Sequence, residues 1–220
     1  EKKKLKKQKI DEPINNSKVP FALPSGWIWT RLSDITTKIG SGSTPRGSNY
    51  SKSGVPFFRS QNIYNSGLVY DDITFISNEV HRQMRGTAVL AGDILLNITG
   101  GSLGRCALVP NNFKDGNVSQ HVCIIRSAYE QKLFLHKVVL SPYFQKFIFD
   151  STTGAGRQGL PKYNLEQFLI PMPPLAEQKI IVGKIESLMN KCDQLEKIVP
   201  QNKRNTELLM QAFLAEAFKA

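Results

Sequence analysis

Long apolar runs are scarce in this 220-residue chain: none approaches the roughly 20 residues needed to cross a bilayer, and no leader of basic then apolar residues opens it. A cytoplasmic location is expected, with no membrane partner. Cysteine is scarce too. Cys106, Cys123 and Cys192 show no paired metal-ligand spacing and leave one over if two were to pair, so they read as buried, reduced thiols. The three histidines also lack metal spacing, and no metal or cofactor is expected in this chain. Catalytic groupings are missing. Ser141-Pro142-Tyr143-Phe144 lacks the second proline and the leading Asn or Asp of a Pro-Pro-aromatic methyltransferase loop. Glu177-Gln178-Lys179 has the Glu-x-Lys form of nuclease sites, yet no Pro-Asp precedes it and it opens a helix. The glycine-rich stretch from Thr99 to Arg105 has no Lys-Ser/Thr ending and no helix after it, which argues against a nucleotide cradle. The chain reads as non-catalytic.

Acidic charge is outnumbered, 18 Asp and Glu against 29 Lys and Arg, and the net +11 is unevenly placed. Residues 1–20 hold seven Lys against three acids, residues 21–170 fifteen basic groups against nine acidic, and residues 171–220 seven against six. A basic globule followed by a nearly neutral helical region suggests that the globule meets a polyanion while the helices meet protein. The 40% apolar and 21% charged content is that of a globular chain, and the length allows one core plus an appendage. The division expected is a lysine-rich helical arm over 1–19, a mixed α/β (α+β) globular domain over 20–170, and helices of coiled-coil type over 171–220. Because the chain starts on Glu1 without a methionine, these residues read as a piece of something longer.

Within the globule, Leu32 to Ile39 is expected to be a short helix ending at Gly40. The loop that follows is too polar to pack and offers Ser43, Arg46, Asn49 and Tyr50. An apolar strand, Val55 to Arg59, then delivers Arg59, Gln61, Asn62 and Tyr64; Arg suits guanine edges, while Gln and Asn suit adenine. Ser77 is the expected cap of a helix reaching Arg85. Gly92-Asp93 signals a turn into a buried strand, Ile94 to Ile98, and Cys106 to Val109 is expected to return as a hairpin whose tip presents Ser102 and Arg105. Gln120 and His121 stand at the start of a strand reaching Arg126. Two helices follow, Gln131 to Leu140 and Ser141 to Ser151, with Pro142 in a first turn. A second basic loop, Thr152 to Tyr163, supplies Arg157, Gln158, Lys162 and Tyr163.

From Leu175 a long helix is expected. Its apolar residues Ile181, Ile185, Leu188, Cys192, Leu195 and Val199 are spaced four, three, four, three and four, an a/d seam that calls for a helical partner. Pro200 is expected to interrupt it, with a last helix from about Asn202 to Ala220.

Five short stretches, in this order, are similar to the DNA-specificity subunits of type I restriction-modification systems. They are Leu23-Pro24-Ser25-Gly26-Trp27 with Leu32; Gly42-Ser43-Thr44-Pro45; Val55-Pro56-Phe57-Phe58-Arg59 with Asn62-Ile63; Gly92-Asp93-Ile94-Leu95 with Thr99-Gly100 and Gly104; and Ile170-Pro171-Met172-Pro173-Pro174-Leu175-Ala176-Glu177-Gln178. The resemblance implies a target recognition domain followed by a spacer helix, with double-stranded DNA as ligand. It further implies docking of methyltransferase (M) subunits and a restriction (R) subunit, which alone bring S-adenosylmethionine, Mg2+ and ATP. A second recognition half is implied through antiparallel helices, either within a full-length chain or in a homodimer. The alternative expectation is a helical protein-interaction scaffold whose contact with nucleic acid is incidental.

Overall fold

The computed structural model describes residues 13–14, 19–152 and 159–218. The lysine-rich stretch over 1–12 and the candidates Arg157 and Gln158 lie outside the described residues. The chain divides into two compact units, one ending at Leu175 and the other spanning Ala176–Ala220. Among the described residues eleven strands are formed: β1 Ile28–Arg31, β2 Thr36–Ser41, β3 Val55–Phe58, β4 Ile63–Tyr64, β5 Gly67–Leu68, β6 Thr74–Ile76, β7 Ile94–Asn97, β8 Cys106–Leu108, β9 Asn117–Val118, β10 Val122–Ser127 and β11 Leu169–Met172. The helices are α1 Asn78–Gln83, α2 Lys132–Leu140, α3 Pro142–Asp150, α4 Lys162–Gln167 and α5 Leu175–Ala217.

The central sheet is antiparallel, in the order β2-β10-β7-β8. Every residue of β7 and the first four of β10 are buried, so these strands read as continuous apolar runs without alternation. Phe58, Ile63, Leu95, Val118, Val122 and Ile124 cluster together, and α2 packs on β8 and β10. A second sheet, β6-β3-β9, pairs β3 with β9 in parallel. The hairpin β4-β5 and the antiparallel pair β1-β11 complete the globule. Phe21 stacks edge-on against Trp29 at 4.9 Å and Tyr143 at 5.6 Å, and the Tyr143 hydroxyl donates to the Leu169 carbonyl at 2.9 Å. Burial pushes that phenol up to about 12.

At the end of the sheet where β7 begins and β10 finishes, an ion pair joins Asp93 and Arg126. The Asp93 carboxylate accepts from Arg126 Nε at 2.7 Å and Nη2 at 2.8 Å, and from the Leu90 amide at 2.7 Å. His136 on α2 is buried, its Nε2 has no hydrogen-bond partner, and burial pulls its pKa down to about 4.

Several sequence expectations are corrected. Leu32–Ile35 is only a 3-10 turn, closed by Thr36 Oγ1 donating to the Leu32 carbonyl at 2.7 Å, and the chain then enters β2. The β-branched Thr36, Thr37 and Ile39 favour the pleated form over the helix. The proline-rich segment is extended, and its Leu169 to Met172 portion pairs with β1. Pro200 does not end the helix, since α5 runs for 43 residues with Pro200 inside it, a length of roughly 65 Å. The ring removes one backbone donor, and the helix continues past it. Cys106 and Cys123 are buried, and burial raises both thiols, but Cys192 is exposed. The Ser77 cap holds, its Oγ accepting from Val80 N, and Ser141, which the sequence reading did not single out as a cap, accepts likewise from Phe144 N.

Candidate nucleic-acid interface

Strand register decides which loops can meet. Ser41 at the end of β2 lies beside Cys123 near the start of β10, Asn97 at the end of β7 beside Val122, and Leu96 beside Cys106 at the start of β8. The loops over 42–49, 98–105 and 119–121 therefore emerge from one end of the central sheet. β3 runs parallel to β9, and Ser119 N bonds the Phe58 carbonyl at 2.9 Å, so the Arg59–Asn62 turn reaches the same end. Asn97 Nδ2 ties it there by donating to the Ser60 carbonyl at 2.8 Å and to Ser102 Oγ at 3.0 Å. The later part of the second basic loop joins through Leu160 N on the Ile98 carbonyl at 2.9 Å and a bridge between Thr99 and Gly159.

A chain of side-chain hydrogen bonds crosses this end. Thr44 Oγ1 donates to Gln120 Oε1; Gln120 Nε2 lies 3.2 Å from His121 Nε2; His121 Nδ1 lies 2.7 Å from Thr99 Oγ1. Beside it the Arg105 guanidinium stands 4.7 Å from the centre of the Tyr64 ring, a cation–π contact that holds both side chains at the surface. Ser43, Thr44, Arg46 and Asn49 form one wall of a cleft of about 760 Å³ whose other wall is Val80, Gln83, Met84, Gly86 and Thr87.

The candidates from sequence divide accordingly. Ser43, Arg46, Asn49, Tyr64, Ser102, Arg105, Gln120 and His121 are brought together at or beside this end. Gln61 is exposed on the same turn. Tyr50 is exposed but leans on Phe57 at 5.6 Å. Tyr163 is 67% exposed, and Lys162 pairs with Glu166 at 3.1 Å within α4. Two candidates are engaged within the globule. Asn62 is fully buried: its Oδ1 accepts from Arg59 N at 3.0 Å and its Nδ2 donates to the Val69 and Asp71 carbonyls at 3.2 Å each, so it braces the loop. Arg59 is half-buried and commits Nη2 to the Asp72 carbonyl at 3.2 Å. Sequence reasoning did not select Thr44, Thr99 or Gln83 as site residues, although Thr44 and Thr99 lie within two of the stretches that carry the resemblance. Along α5, Ile181 and Ile185 are half-buried, while Leu175, Leu188, Cys192, Leu195 and Val199 are exposed.

Gly42 sets the path of the first loop. Its amide donates to the Val122 carbonyl at 2.9 Å, and a Cβ there would collide with the Val118 carbonyl and lie 2.5 Å from that of Ser119. Gly42→Ala is expected to destabilise the globule by about 2 kcal/mol, read as a shifted denaturant midpoint, and to displace Ser43 and Thr44.

A family model described as the type I restriction modification DNA specificity domain matches residues 24–202. The EcoBI type I restriction enzyme specificity subunit of Escherichia coli is 27% identical over 96% of this chain and 45% of its own length. The EcoEI specificity subunit of the same species is 31% identical over 88% of this chain and 33% of its own length. The chain thus spans less than half of these curated relatives. The crystal structure of the HsdS subunit from Thermoanaerobacter tengcongensis superposes with a TM-score of 0.71 at 25% identity, covering 91% of this chain and 51% of that one. Domain match, relatives and fold agree, and the chain belongs to the type I restriction modification DNA specificity family.

Proposed function

We propose that this chain is half of a bipartite, sequence-specific reader of double-stranded DNA within a type I restriction-modification complex, and that it has no catalytic role of its own. The observation that carries this reading is the gathering of polar and basic loops, around Arg46, Arg105, Gln120 and His121, at one end of the central sheet. Basic groups there neutralise phosphates, and amide and guanidinium groups inspect base edges. The exposed seam of α5 from Leu188 to Val199 is the partner surface. A second recognition half docks there through antiparallel helices, in the same polypeptide or in a second copy. Methyltransferase and restriction subunits complete the complex, and S-adenosylmethionine, Mg2+ and ATP act in those subunits. Among the described residues no His, Cys, Asp and Glu group could hold a metal ion, and no helix is long and apolar enough to cross a membrane.

The test is a titration against duplex DNA across a series of salt concentrations. Affinity should fall steeply with salt, and Arg46→Gln should weaken all sequences alike while flattening the log–log slope by about one unit. Salt-insensitive binding, or none, would instead favour the scaffold reading.

A further inference from the structure

We propose that Gln120 is a specificity-determining residue that reads an adenine edge in the major groove, with Thr44, His121 and Thr99 as its positioning residues; this rests on the DNA-reading function above. Gln120 is exposed in the turn leading into β10, at the loop-bearing end of the central sheet. An exposed glutamine ordinarily samples many rotamers, and ordering it on binding lowers affinity. Here the ordering exists already. Thr44 bonds the amide oxygen from one side, His121 the amide nitrogen from the other, and His121 is itself anchored on Thr99. One tautomer makes the directions consistent: with the proton on Nδ1, His121 donates to Thr99 Oγ1 and accepts from Gln120 at Nε2.

The unused valences identify the ligand. A carboxamide has two acceptor lone pairs and two N–H donors. Thr44 occupies one lone pair and His121 one N–H, which leaves one acceptor and one donor on the same planar group. Adenine alone offers the complement in the major groove, N7 as acceptor beside the N6 amino donor; guanine shows two acceptors, cytosine a donor only, and thymine an acceptor and a methyl group. Neither Asn62, fully buried, nor Arg59, bonded to the Asp72 carbonyl, supplies that pattern at this end of the sheet.

The experiment selects duplexes with the full chain from a pool randomised over about one helical turn. The wild type should enrich adenine at one position. Gln120→Ala should lose that preference by roughly 5- to 150-fold and keep the others. Placing 7-deazaadenine there, which deletes N7, should weaken the wild type and cost Gln120→Ala nothing further. Gln120→Glu, an acceptor only, should shift the preference to cytosine. Thr44→Val should relax the same position, and Thr44→Ser should restore it. If Gln120→Ala retains every preference, or loses all of them together, the assignment is overturned and the DNA-reading function stands. A wild type that enriches nothing overturns that function itself.

Discussion

Arg126→Met is expected to cost about 3–5 kcal/mol of folding stability, measured as the free energy of unfolding in denaturant. The two sides of the ion pair are not equivalent: the Asp93 side chain is 1% exposed, that of Arg126 27%. Removing the guanidinium therefore strands a carboxylate that water cannot reach, and it strips the Ala88 carbonyl of its bond from Nη2. Asp93→Ala should cost less, because Arg126 can turn outward, although the Leu90 amide then loses its acceptor. The order of the two variants is the informative result. If Asp93→Ala were the more damaging, the turn into β7 would matter more than the buried charge.

His136 gives the second large effect, read against pH. Its folded pKa, about 4, lies below the ordinary 6.5 because burial disfavours the imidazolium and Lys137 adds like charge. As pH falls below 6.5 the unfolded chain takes up the proton first, so stability is full above that value and declines until about pH 4. A separation of this size corresponds to about 3 kcal/mol. In His136→Leu the decline over that window should flatten. An unchanged pH profile would mean that some other group governs acid unfolding.

Much of the architecture could be read from local chemistry. Ser77 and the Ser141-Pro142 pair marked helix starts, because a cap is decided by residues three apart, and Gly92-Asp93 marked the turn into the β7-β8 hairpin. Local rules misled in two places. Leu32 to Ile39 was read as a short helix, but its β-branched residues found β10 as a partner about 90 residues away, which no window reveals. Pro200 was read as a break, yet a penalty of roughly 3 kcal/mol does not divide a helix supported on both sides. For the candidate site, the sequence supplied the loops and not their roles. Asn62 has the same side-chain chemistry whether it reads a base or braces a loop, and only its burial separates the two. The bond from Thr44 to Gln120 joins positions 76 apart, so it becomes visible only when β2 and β10 are paired.

The pairing of Ile28–Arg31 with Leu169–Met172 sets the first and last strands of the globule side by side. A module with both termini at one doorway can be removed and another inserted without rerouting the flanking polypeptide. Replacing the whole domain at those two strands would therefore leave the path of the flanking chain unaltered.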